Sequence, residues 1–270
     1  MRLGVAIEGG GTRCAAALGV LKALEENGVE PYAYCGCGAG AAVAAMGACG
    51  VPPEAAIAAF HGCVRFGRVR MHALFHALEA CFGNGAICER GRLAVPTADL
   101  ETGTLRVYAS MLPVRPDPHP WSRQAELVRA VLAAMALPGA IAPVLIRERA
   151  LVGGGMLRYA LPQLLRAMGA DTVLCVRTVG FAGACSEKKA AAQAVRAAAL
   201  FSPAPTGIDI MLSLENKLDG YGVLETAAMR PLLHTGREAA RTALAALALL
   251  NAKQSGRIVR FPGARVTRPE

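Results

Sequence analysis

Residues Gly36-Cys37-Gly38-Ala39-Gly40 carry the frame of a G-x-S-x-G nucleophile elbow, with a glycine at its centre. Such an elbow holds a hydroxyl on a sharp turn between a strand and a helix, where it can attack an ester or amide carbonyl. Gly38 has no side-chain atom with which to attack. A second glycine run, Gly153-Gly154-Gly155, follows the apolar pair Leu151-Val152. A third run, Gly9-Gly10-Gly11, is followed by Thr12 and Arg13. Its backbone N–H groups could receive the negative charge of a tetrahedral intermediate, helped by a following helix N-terminus and by the Arg13 charge. Together these residues outline a serine acyl-hydrolase site without its reacting atoms.

Other residues offer weaker chemistry. Cys37 is beside the elbow centre, but the side chain before an elbow tip points elsewhere, so packing is its expected role; Cys14 is read the same way. Glu8 precedes the glycine run and is expected to fix the loop by hydrogen bonds rather than to act as a base. His72 and His76 are four apart on an expected helix, near Glu79, a spacing able to hold a metal. Without a third ligand they are read as surface residues, and no metal or other cofactor is expected. The glycine run fails the G-x-G-x-x-G dinucleotide pattern because Cys14 stands in the last position.

The elements that must position these residues follow from periodicity. Apolar runs at Arg2–Ile7, Tyr32–Cys35, Leu93–Ala98, Leu105–Met111 and Thr172–Arg177 read as strands. Helices are expected at Ala15–Asn27, Ala41–Cys49, Pro53–Cys63, Arg70–Phe82, Ala125–Met135, Leu161–Met168, Ala190–Phe201 and Gly236–Asn251. On the fourth of these, Met71, Leu74, Leu78 and Phe82 are expected to share an apolar face. Val114–Pro120 is proline-rich and reads as a surface loop. Strands alternating with helices imply an α/β fold whose central sheet is mostly parallel and covered on both faces.

The ordered motifs resemble those of the patatin-like phospholipases, a family of lipid acyl hydrolases. Glu8–Arg13 resembles the family's oxyanion loop, Gly19–Glu26 its continuation and Gly36–Ala41 its elbow. Asp99–Gly103 is similar to a frequent turn, and Ala136–Val144 to the approach to the acidic motif. Val152–Gly155 stands where the family has Asp-Gly-Gly, and His234–Ala240 resembles the closing helix. The resemblance implies a three-layer α/β/α domain over residues 1–252, with a basic tail at 253–270. It also implies a Ser–Asp dyad, whose positions here are Gly38 and Gly153. The expected function is a silent acyl-hydrolase fold that binds a lipid, a fatty-acyl ligand or a partner. The rival reading is an active or deliberately inactivated serine esterase acting on lipid esters.

Net charge is +9 with a pI near 9.3, which favours anionic partners. Arg65, Arg68 and Arg70 form one basic group, and the amphipathic stretch from Arg65 to Phe82 could meet an anionic membrane with its basic start. Few aromatic residues and no binding motif argue against nucleic acid. Nine cysteines without a C-x-x-C pair read as reduced thiols. With no signal peptide legible before the glycine run, a cytoplasmic location, peripheral at the membrane, is expected. The residues say nothing of oligomeric state.

Overall fold

The run Leu3–Ile7 (β1) is buried along its whole length because it lies in the middle of a sheet. The computed structural model describes residues 1–137, 141–153, 155–178 and 205–255. Ala33–Gly36 (β2) and Thr172–Arg177 (β10) flank β1, both parallel to it. Ile210–Ser213 (β11) pairs parallel to β10. On the other side Leu93–Asp99 (β5) runs parallel to β2, and Leu105–Ala109 (β6) returns antiparallel to β5. Trp121–Ser122 (β7) closes that edge beside β6. The sheet order is β11-β10-β1-β2-β5-β6-β7, with the hairpin Val144–Ile146 (β8) and Arg149–Val152 (β9) attached to β5.

Both faces are covered. One face packs under Ala15–Glu26 (α1), Ala39–Cys49 (α2), Met71–Phe82 (α4), Leu127–Met135 (α5) and the C-terminal helix Met229–Ser255. The other face packs under Leu161–Ala167 (α6), whose Leu161, Leu164 and Leu165 meet Ala6, Ala33, Cys35 and Cys175. This is the three-layer α/β/α architecture that the sequence implies. α1 and the C-terminal helix cross very closely. A Cβ at Gly19 would lie 2.7 Å from Arg237 N, and one at Gly236 would lie 2.8 Å from Ala16 Cα.

Several expectations need correction. The C-terminal helix begins at Met229, seven residues ahead of the expected Gly236, because Leu232 and Leu233 are buried in its first turns. Between Pro53–Phe60 (α3) and α4, where no element was expected, Val64–Arg65 (β3) forms a hairpin with Arg68–Val69 (β4). Met71, expected on the apolar stripe, is exposed, and Ala77 joins Leu74, Leu78 and Phe82 instead. Strands β7, β8, β9 and β11 were not anticipated. The expected helix at Ala190–Phe201 lies outside the described residues, as do Pro138, Gly139, Gly154 and the tail from Gly256. Among the described residues, no helix is long and apolar enough to cross a membrane.

Candidate functional site

The carboxyl ends of parallel strands are where α/β sheets place ligands, and Gly9, Gly38 and Gly153 lie toward that end. β2 leaves the sheet at Gly36 and turns into α2 through Cys37 and Gly38. Gly38 sits at φ 56° and ψ −138°. That is a sharp strand-to-helix turn at positive φ, a region that side chains other than hydrogen adopt at a cost. Tight crossing fixes the flanking glycines: a Cβ at Gly40 would lie 2.9 Å from Glu8 O, and one at Gly36 would lie 2.8 Å from Ala41 N. Ala39 opens α2.

The glycine loop after β1 touches this apex. Cys37 N donates to Ile7 O at 3.2 Å. A Cβ on Gly9 would stand 2.9 Å from Cys37 O and 3.3 Å from Gly38 Cα. Gly10 is extended and Gly11 left-handed at φ 58°.

The third run arrives through the edge of β5. Residues Leu93 and Ala94 of β5 pair with β2, whereas Ala98 and Asp99 pair with β9. Because β6 occupies the opposite edge from Ala94 to Ala98, β2 and β9 share one edge and meet end to end. Gly153, next after β9, therefore comes in beside the turn in which β2 ends. Gly153 N donates to Ala136 O at 2.9 Å. A Cβ at Gly153 would overlap the Ala134 carbonyl and lie 2.5 Å from Ala134 Cα. Gly155 opens a short 3-10 helix that runs to Ala160.

Thr12 and Arg13, expected to face an anion, are occupied by the chain itself. Thr12 N donates to Val223 O at 2.8 Å and Thr12 Oγ1 to Gly222 O at 3.1 Å. Glu225 N in turn donates to Thr12 Oγ1 at 3.0 Å. Arg13 is buried, donates from Nε to Tyr221 O at 2.7 Å and approaches Asp219 at 4.0 Å. The segment 219–225 thus straps the glycine loop from outside.

Glu8 is buried and ion-paired. Its Oε2 accepts from Arg177 Nε at 2.8 Å and its Oε1 from Arg177 Nη2 at 3.1 Å. Arg158 Nη1 lies 4.0 Å from the same carboxylate, and Arg177 also reaches Glu215 at 3.4 Å. A two-point guanidinium–carboxylate pair is a strong charge-assisted contact. It joins the residue after β1 to the end of β10, whereas the expected role was to fix the glycine loop by hydrogen bonds of its own. Arg158, Arg177 and Glu215 were missed by sequence reasoning; the only signal was an arginine at the end of the apolar run 172–177.

The thiols are held neutral. Burial pushes Cys37 up to about 12, with the Glu8 charge adding to the effect and the Gly9 N–H opposing it. Burial likewise raises Cys14 to about 12, against hydrogen bonds from Thr178 and Gly10. Cys35 and Cys175 are also raised by burial. In all four, burial disfavours the thiolate, which is the nucleophilic form. His72 and His76 form a separate exposed pair on α4, Nε2 to Nε2 at 3.0 Å, with His76 Nδ1 3.0 Å from Glu79. Among the described residues, no group of three or more His, Cys, Asp or Glu side chains could hold a metal.

The elbow, the glycine loop and the strands around them fall within a segment with known relatives. Residues 5–94 match the patatin-like phospholipase family. The patatin-like match ends within β5, so β9 and Gly153 lie beyond it. A solved structure, VipD from Legionella pneumophila, aligns with 89% of this chain at 11% identity and a TM-score of 0.45. The aligned part spans 66% of the VipD chain. Among curated proteins, no match is found.

Proposed function

We propose that this chain is a catalytically silent patatin-like fold that has kept the elbow and lost the hydrolysis, serving as a binding module for a lipid or fatty-acyl ligand. The observation that carries the reading is Gly38 in the φ 56°, ψ −138° conformation at the strand-to-helix apex. The backbone expected of a nucleophile is present and the hydroxyl is not. Acyl transfer through a serine needs an attacking oxygen and a group to take its proton. Glycine at 38 supplies no oxygen, and glycine at 153 supplies no carboxylate.

The neighbouring groups do not substitute. Cys37 is a buried thiol whose ionisation is suppressed, and Glu8 is consumed by Arg177. The packing of Ala134 against Gly153 favours a settled loss over a recent inactivation. An enzyme disabled by point changes alone would be expected to keep room for the missing carboxylate.

The test is direct. Esterase assays with short and long acyl esters should show no turnover above the uncatalysed rate, and a fluorophosphonate probe should label no residue. Native mass spectrometry of the purified chain should reveal a bound acyl species. Turnover or labelling would overturn the silence. A chain free of lipid that also fails to take up added fatty acid would overturn the binding role.

A further inference from the structure

The hairpin between α3 and α4 carries a residue that its fold does not need. Val64 pairs with Val69 and Arg65 with Arg68, leaving Phe66-Gly67 as a two-residue turn. Both turn residues are left-handed, at φ 51° and φ 68°. Such a turn favours Asn, Asp or Gly, and a bulky aromatic there is a strained outlier. Phe66 gains no burial in return, because it is 89% exposed, more than any other large apolar residue among those described. The chain therefore carries a backbone cost and an exposed ring together. Strain of this kind is found where a function requires it.

The surroundings specify the partner. Arg65, Arg68 and Arg70 crowd the same hairpin, and no Asp or Glu occurs between Glu54 and Glu79. Among the described residues none of the three arginines has an ion-pair partner, and Arg65 lies 5.1 Å from the centre of the Phe66 ring. Met71, just beyond, is also exposed. A ring raised on a narrow tip, with the Arg65 guanidinium beside it and Arg68 and Arg70 close along the chain, fits the boundary of an anionic bilayer. The ring enters below the headgroups while the guanidiniums stay at the phosphates. A stable protein interface needs about 800 Å² on each side, far more than a tip with two residues per strand presents.

We propose that the β3–β4 hairpin is a membrane-docking tip, seating Phe66 in the interfacial zone of an anionic phospholipid bilayer with Arg65, Arg68 and Arg70 on the headgroup phosphates. This does not depend on an acyl ligand at the elbow, so docking and ligand capture are separate readouts.

Vesicle sedimentation of the full chain tests it, using phosphatidylcholine with and without about 30% phosphatidylserine. Wild type should bind only the anionic vesicles and release at high salt. Phe66→Asn should lower the partition coefficient about tenfold, while the melting temperature holds or rises because Asn suits the turn. Arg65→Gln and Arg68→Gln should each cost about fivefold. Tryptophan fluorescence of a Phe66→Trp variant should shift to the blue on anionic vesicles. The proposal is overturned by absent binding, by equal binding to both vesicle types or by equal partition of Phe66→Asn and wild type. A fall in melting temperature for Phe66→Asn would also sink it, since the ring would then be packing on the protein.

Discussion

Gly153 stands against the carbonyl of Ala134 so closely that a Cβ at Gly153 would overlap that oxygen and lie 2.5 Å from Ala134 Cα. The end of α5 has taken the space in which a side chain at 153 would begin. Gly153→Ala should therefore destabilise the fold by about 1–3 kcal/mol, the usual cost of forcing atoms into a packed interior. Gly153→Asp should cost more, because its carboxylate would add desolvation to the overlap. Denaturant melts of the two variants give both values. The pair Gly38→Ser with Gly153→Asp should not regain ester hydrolysis. Recovery would mean that α5 can step aside and that the loss is only chemical.

Gly38→Ser alone asks a different question. The apex conformation costs a non-glycine residue about 1–3 kcal/mol, so the variant should lose stability by that amount. The serine would have no base beside it, because Glu8 is held by Arg177 and Cys37 is a neutral thiol. A fluorophosphonate probe should leave it unlabelled. Labelling at residue 38 would show that a group near the apex activates the serine.

The elbow and the glycine loop were legible in the sequence because their function is written in backbone. Only glycine survives where a strand and a helix cross as closely as Gly36 and Gly40 require, so the spacing predicts the turn even with its centre blank. The central strands were legible for a similar reason: Leu3–Ile7 and Thr172–Arg177 are buried on both faces and read as unbroken apolar runs. The strap over the glycine loop was not legible. Tyr221, Gly222 and Val223 act through carbonyl oxygens, which every residue has. The Glu8–Arg177 pair spans most of the chain, and no local pattern announces it. The β3–β4 hairpin was hidden because its strands are two residues each, too short to show an alternating pattern, and its turn carries Phe66 where a turn signal would have Asn, Asp or Gly.

Cys37 offers a test of the site's closure. With burial pushing its thiol up to about 12, almost none is thiolate at neutral pH. Iodoacetamide should leave Cys37 unmodified in the native chain and alkylate it on denaturation, as peptide mass mapping would show. Rapid native alkylation at Cys37 would reveal an open, activated thiol and would revive the possibility of substitute chemistry.

Asp99 should set the acid limit of the fold. It is buried at the end of β5, where Oδ2 accepts from Arg149 Nη1 at 2.7 Å and Oδ1 from Glu101 N at 3.0 Å. The Arg149 guanidinium holds the carboxyl below the usual carboxylate range, against the opposing effect of burial. The sign follows from linkage: a carboxyl with a depressed folded value contributes fully at neutral pH. That contribution is lost as pH falls from about 4, the unfolded value, through the folded one. Asp99→Asn should accordingly lower stability at neutral pH and flatten its decline in acid. Urea melts from neutrality down to about pH 3 would show the two curves converging. Parallel curves would mean that other carboxylates, and not the Asp99–Arg149 pair, govern acid unfolding.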